Sequence, residues 1–320
     1  MSKRISKVDN IKYALSGNDR YIASVDPGET FVVECAINAN DGTIRHLGQQ
    51  LTEADVTFPF VNGATGPIEV RGSKAGDMLK VEIVNMELDK LGFTALWPGI
   101  GMFPDWVRRK EFGIQTRVVE VKDGRVHWND HLKLPVKPMI GVLGVAPVHG
   151  AVLTVDNGPH GGNLDVQEIT TGNTVMFRVN KDGTHLFMGD CHAIQGDGEC
   201  NGMGAIEIAA TLTVKVSLEK APPRLNHPRI ETATHICTLG CARPLEDAMR
   251  IAFEEMVYWM EDEWKIPAAE GYMLLGQIAE ARCTQVVNPK YTYICKVDKA
   301  CSPATSDESH CPHSAEHPNP

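Results

Sequence analysis

Through about residue 220, apolar positions alternate with polar ones in short runs, the period-two signature of half-buried strands, and each run stops at a turn signal. Three Asp-Gly pairs, Asp41-Gly42, Asp123-Gly124 and Asp182-Gly183, stand between such runs. Asp-Gly suits a tight hairpin because both central residues of the favoured turn take positive φ. Hairpins are therefore expected for Arg117 to Val121 with Arg125 to Trp128, and for Thr174 to Val179 with Thr184 to Met188. An internal echo joins the segments beginning Pro27-Gly28-Glu29, Ala75-Gly76-Asp77 and Thr171-Gly172-Asn173, each a glycine and a polar residue leading into an alternating strand. Duplication and simple reuse of one turn explain it equally well.

After Pro222-Pro223 the period changes. Leu245, Ala248, Met249, Ala252, Phe253, Met256, Val257 and Met260 fall at three- and four-residue spacing, which predicts a helix with Pro244 at its first turn and a methionine-rich packing face. A shorter helix is expected from near Pro267 through Leu275 toward Ala281. The pattern as a whole predicts a predominantly β fold, sandwich or barrel-like, with a smaller C-terminal α/β part, α+β overall. Residues 1–222 would form the mainly β domain, 223–301 the part packed on it, and 302–320 a disordered tail with too little apolar surface to fold. His310, Cys311, His313 and His317 of that tail have ligand chemistry without a scaffold.

Composition narrows the function. At 42% hydrophobic and 22% charged residues the 320-residue chain is an ordinary globular one, and its net charge of -10, with no basic run, argues against nucleic acid as a partner. No apolar stretch reads as a signal or a membrane span, so the cytoplasm is the expected compartment and a membrane is not an expected partner. Nine cysteines without framework spacing are expected as thiols, and Cys237 with Cys241 lacks the second pair of a structural zinc site. Strand edges to cover suggest a homo-oligomer.

The chemistry concentrates in two glycine-framed segments. In Gly189-Asp190-Cys191-His192-Ala193-Ile194-Gln195-Gly196-Asp197-Gly198-Glu199, alternation along an extended strand would put Leu186, Met188, Asp190 and His192 on one face, with Cys191 on the other. An Asp-x-His pair held rigidly on a strand is a good chelate, and further carboxylates at Asp197 and Glu199 call for a compensating cation. The bland alternative is an exposed acidic loop. The second segment, His149-Gly150 followed by Asp156-Asn157-Gly158-Pro159-His160-Gly161-Gly162-Asn163-Leu164-Asp165, again leaves His, Asn and Asp as the groups able to coordinate. Together the two segments supply the three or four ligands that a catalytic metal normally takes.

Pro159-His160-Gly161-Gly162-Asn163-Leu164-Asp165, the string from Gly189 to Glu199, and Ala205-Ile206-Glu207 strongly resemble the signature segments of the acetamidase/formamidase family. The resemblance extends along most of the chain, through Pro27-Gly28, Thr65-Gly66-Pro67-Ile68 and the helix from Leu245; the Cys/His tail departs from it. It implies a mostly β architecture, hydrolysis of short amides to ammonia and a carboxylate, and a bound divalent metal, commonly zinc and in some members calcium.

Residue chemistry then gives a candidate ligand pool of His160, Asp165, Asp190 and His192, with His192 and Glu199 as catalytic residues. Glu199 is read either as a general base that later acts as acid or as a further ligand. Asn163 and Gln195 are candidates to hydrogen-bond the substrate amide, to orient a ligand, or simply to stabilise turns. The expected reaction is metal-dependent hydrolysis of a small aliphatic amide such as formamide or acetamide. Its rivals are a Cys191 thiolate nucleophile and a non-catalytic protein that binds a metal or small ligand on the same scaffold. Trp97, Phe103 and Trp106 would either wall a small substrate pocket or pack in the core.

Overall fold

The computed structural model describes residues 2–39, 43–109 and 112–303. Asp41-Gly42 and the Cys/His tail from residue 304 on lie outside the described residues. Strand accounts for 43% and helix for 14%, so the fold is mostly β. Nineteen of the described strands hydrogen-bond into one branched, curled sheet, while Ala14–Ser16 pairs with Ala151–Leu153 as a separate ribbon. The framework is a pair of long antiparallel strands, Asp77–Leu96 and Gly202–Lys220, in register from Asp77 opposite Lys220 to Leu96 opposite Gly202. Register shifts at Met203/Glu207, Ile208/Ala210 and Thr213/Val214 bend this ribbon. One half therefore pairs with Thr30–Cys35 and the other with Leu186–His192. Phe31, Ile68, Leu79, Ile83, Phe177 and Leu186 fill the enclosed core.

The three echoed segments do start strands, at Thr30, Asp77 and Thr174. Gly28, Gly76 and Gly172 all have φ near +90°, with no atom close enough to obstruct a side chain, so conformation alone selects glycine there. Each donates its N–H to a distant carbonyl: to Val216 O, Val179 O and Ile83 O respectively.

Asp123-Gly124 makes the expected hairpin, with Lys122 opposite Arg125 and both turn residues at positive φ. Asp182-Gly183 does not. Thr174–Arg178 pairs with Asp77–Leu96, whereas Leu186–His192 pairs with Met139–Gly144 and Ala64–Val70. Gly183, Thr184 and His185 all take positive φ and swing the chain away from Asp77–Leu96 to another part of the same sheet. The Asp182 carboxylate is drawn away to Lys74 and the N–H of Ala75, and the Thr184 hydroxyl to Ser73. Tertiary partners outweigh the local turn preference.

Beyond Glu219 the chain returns through Arg229–Glu231 to His235–Ala242 and the two predicted helices, α2 (Leu245–Trp264) and α3 (Ala268–Ile278); the earlier α1 (Pro104–Arg108) is a single turn. The Ala248, Ala252, Met256 and Met260 stripe of α2 is buried against His235–Ala242 and Tyr291–Asp298. No helix among the described residues is long and apolar enough to cross a membrane.

Candidate active site

Leu186–His192 ends beside Glu207, which with Glu199 lines a cavity of about 520 Å³. Strict alternation would have put Leu186, Met188, Asp190 and His192 on one face. Asp190, however, takes φ 53°, and this reverses the parity. Cys191 thus joins Leu186 and Met188 in the core, where its neighbour Cys35, whose thiol donates to Met188 O, and burial push its pKa far above that of a free thiol. Asp190 and His192 still converge, with His192 Nε2 3.7 Å from Asp190 Oδ1. The pairing of the two residues follows from a kink rather than from uniform pleat.

Glu207 faces them from the neighbouring strand. It lies directly across from His192 in the ladder, with its Oε2 3.2 Å from His192 Nε2. Asp165 arrives from the Gly161–Asn163 segment, where the N–H groups of Leu164 and Asp165 both reach Gly141 O. Glu199 arrives on the glycine loop. Gly198, its neighbour, donates to Thr284 O and accepts from Val286 N, which stitches the loop to the C-terminal part. Asp165, Asp190, Glu199 and the adjacent Asn62 all have φ between 43° and 58°, conformations costing non-glycine residues on the order of 1–2 kcal/mol each. Such strain clusters where side chains must be aimed.

One side of each central ligand is anchored by an amide. Asn288 Nδ2 donates to Asp165 Oδ2, Asn62 Nδ2 to Asp190 Oδ2, and Gln195 Oε1 lies 2.9 Å from His192 Nδ1. Gln195 Nε2 donates to the carbonyls of Asp165 and Thr284, so its oxygen can only accept. His192 Nδ1 must then carry a proton, so Nε2 is the nitrogen that faces Asp190 and Glu207 and would give up its own proton to ligate a cation. Asp165 Oδ1, Asp190 Oδ1, His192 Nε2, Glu199 Oε2 and Glu207 Oε2 are all buried without a hydrogen-bond partner. Gly141 makes room for them: a Cβ there would lie 2.6 Å from Asp165 Oδ1 and 2.8 Å from Asp190 Oδ2.

Two groups, Asp165/Asp190/His192 and His192/Glu199/Glu207, each bring ligand atoms within 4.8 Å of one another, the span of donors about one divalent cation. Burial raises the pKa of Asp165 and of Asp190, with Asp190 and Glu207 respectively adding to it. Burial and then Asp165 raise Glu199 well above the usual carboxylate range. For His192 burial opposes the charged form, but Glu207 and Asp190 outweigh it and hold its pKa well above that of a free imidazole. Every one of these groups is asking for positive charge, and the donor set fits a cation.

The other expected residues fall elsewhere. His160 is buried but belongs to neither group; its electrostatic neighbours are Asp156 and Lys290, and burial, followed by Lys290, lowers its pKa to about 4 against the opposing pull of Asp156. His149 is exposed, and Asp197 is tied to Arg282 at the surface. Cys237 and Cys241 are buried in the core, where burial raises both thiols. Trp97 lines the cavity, whereas Phe103 and Trp106 stack on each other at 4.5 Å and are exposed. Asn163 lines the cavity beside Glu199 and Glu207, its Oδ1 buried and unpartnered. Sequence reasoning gave no role to Glu207, Asn62, Asn288 or Arg243, which also contact this site or its cavity. Glu207 did carry a signal, a lone carboxylate between Ile206 and Ile208 in an apolar strand.

A family model for the acetamidase/formamidase family matches residues 18–155 and 148–235. The chain belongs to the acetamidase/formamidase family. Among solved structures of this family, an acetamidase from Bacillus halodurans is 33% identical, with a TM-score of 0.85 over 92% of this chain and 97% of that one. A predicted acetamidase/formamidase from Thermoanaerobacter tengcongensis is 34% identical, with a TM-score of 0.86 over 93% and 96%. A formamidase from Methylophilus methylotrophus is 30% identical over 252 residues, 62% of this chain and 61% of that protein, so the match spans about three fifths of that relative.

Proposed function

We propose that this family member hydrolyses small aliphatic amides to ammonia and the carboxylate, with formamide and acetamide as the simplest substrates. The supporting observation is five buried, unpartnered donor atoms on Asp165, Asp190, His192, Glu199 and Glu207, in two overlapping groups that share His192, with Glu199 and Glu207 on the wall of the cavity. Asp165, Asp190, His192 and Glu207 are the proposed ligands of a divalent cation, zinc by its imidazole-plus-carboxylate donors, with calcium admitted by the oxygen-rich remainder. When bound, such a cation polarises a carbonyl and brings the pKa of water to about 7.

The protein's own groups do the rest. Glu199, which lines the cavity, takes the proton of the attacking water and returns it to the departing nitrogen. Asn163 accepts an N–H of the substrate amide at its free Oδ1. Gln195, its amide committed to His192 and two carbonyls, fixes the histidine tautomer rather than touching substrate. Cys191, neutral and turned to the core, has no part in the reaction.

The test is ammonia release from formamide and acetamide with elemental analysis of the same preparation. Wild type and Cys191→Ala should carry metal and turn over, and His192→Ala should lose both. A His192→Ala protein that keeps metal and full turnover would falsify the assignment.

A further inference from the structure

The cavity is out of proportion to formamide or acetamide, molecules of a few heavy atoms. At about 520 Å³ it lies within the roughly 300–1,000 Å³ range of pockets that enclose much larger ligands. Its polarity is also graded. The buried end carries Glu199, Glu207 and Asn163, at 5%, 1% and 2% exposure. An apolar wall is supplied by Val56, Val61, Trp97, Ile100, Val155 and Met203. At the exposed rim stands Arg243, the one cationic side chain among the described residues that line it.

Arg243 is held in place without being neutralised. Its guanidinium lies over the Tyr291 ring, 4.2 Å from the centroid, and Nη2 donates to Asn288 O. No carboxylate among the described residues forms an ion pair with it. A guanidinium has five N–H donors in a planar fork, so most of this one's donors remain for a ligand. Stacking on Tyr291 limits its freedom, which lowers the entropy lost on capture of an anion.

We infer that the cavity takes amides whose far end is a carboxylate, an ω-carbamoyl carboxylate with an apolar spacer, and that Arg243 is the residue selecting them. The amide goes inward because the proposed reacting groups, Glu199 and Asn163, lie at the buried end, and the apolar wall receives the methylene chain. Arg243 binds the distal carboxylate at the rim. This rests on the proposed amide hydrolysis for the name of the reacting end, but the carboxylate-binding role of Arg243 stands on its own geometry.

The probes are malonamate, succinamate, glutaramate and adipamate, each against the uncharged amide of matching chain length. At least one acid-bearing amide should exceed its neutral counterpart in kcat/KM by about tenfold, mainly through KM. Arg243→Gln should erase that ratio and Arg243→Lys retain part of it, with thermal melts checking that each variant folds. Isothermal titration with the matching dicarboxylates, the products, should show binding to wild type and its loss in Arg243→Gln. If neutral amides are turned over but every acid-bearing one is worse, or if Arg243→Gln leaves the ratio unchanged, the inference fails while amide hydrolysis survives. If no amide reacts, hydrolysis fails instead, and dicarboxylate binding dependent on Arg243 decides the inference alone.

Discussion

His192 illustrates how one side chain can be specified from several parts of the chain at once. Its Nδ1 meets Gln195, which is fixed by the carbonyls of Asp165 and Thr284, so Nε2 is aimed before any ligand arrives. Replacing Gln195 with Leu should lower cation affinity or turnover by about 10–100-fold, read by metal titration and the ammonia assay. A variant with unchanged affinity would mean that the two strands alone orient the ring. His160 behaves differently. Held neutral by burial, with a pKa of about 4, it binds its proton less tightly folded than unfolded. Its contribution, about 3 kcal/mol, is fully present above pH 6.5 and is lost as pH falls from 6.5 toward 4. His227, similarly lowered by burial, adds a second such loss. Calorimetry should therefore find that His160→Asn lessens the fall in Tm between pH 6.5 and 4.5; an unaltered slope would show that His160 is not the group being titrated.

At the scale of elements, the site depends on departures from regular structure that a repeating pattern conceals. The Asp190/His192 pair was legible because Asp, His and Gln in a glycine frame leave few alternatives, yet the uniform strand that predicted their shared face is broken at Asp190 itself. Glu207 stands opposite His192 through a register that depends on bulges in the Gly202–Lys220 strand, and nothing local in Ala205-Ile206-Glu207 announces that register. The Asp182-Gly183 turn was misread for the same reason, since its partners Lys74, Ala75 and Ser73 lie a hundred residues upstream in sequence but adjacent in space. Helix α2, whose pattern is local and long, was read directly from its apolar spacing. Gly141 gives the sharpest test of the irregular geometry. Its alanine variant places a methyl among the Asp165 and Asp190 oxygens and should cut bound metal by at least about tenfold, as an overpacked site does when its ligands are displaced. Gly196→Ala, where the added carbon meets open space, is the control and should retain wild-type metal content. Equal metal in both variants would mean that the carboxylates are free to move aside.

Across the whole molecule, the C-terminal part packs on the β body and also helps to build the site. Asn288 anchors Asp165, Thr284 O receives Gln195, and Arg243 reaches the rim, all from the strands flanking α2 and α3 or their connections. Arg229–Glu231, paired with Thr174–Arg178 on one side and His235–Ala242 on the other, joins this part to the main sheet. The polar anchors are therefore far apart in sequence, which is why the sequence alone does not single out Asn62 or Asn288. Such an arrangement predicts that loosening α2 should be felt at the floor of the cavity. Gly240 is the point at which to apply the strain, because a Cβ there would lie 1.9 Å from Ala248 O and 2.7 Å from Ala252 N, forcing α2 off its strand. Gly240→Ala should cost about 1–3 kcal/mol or more in denaturant unfolding. If the two parts fold as one, the transition stays single and metal retention falls along with it, since Asn288 and Thr284 shift with the strand they precede. Two separate transitions, with metal and ammonia release untouched by the first, would instead show a C-terminal unit that merely leans on a self-sufficient site.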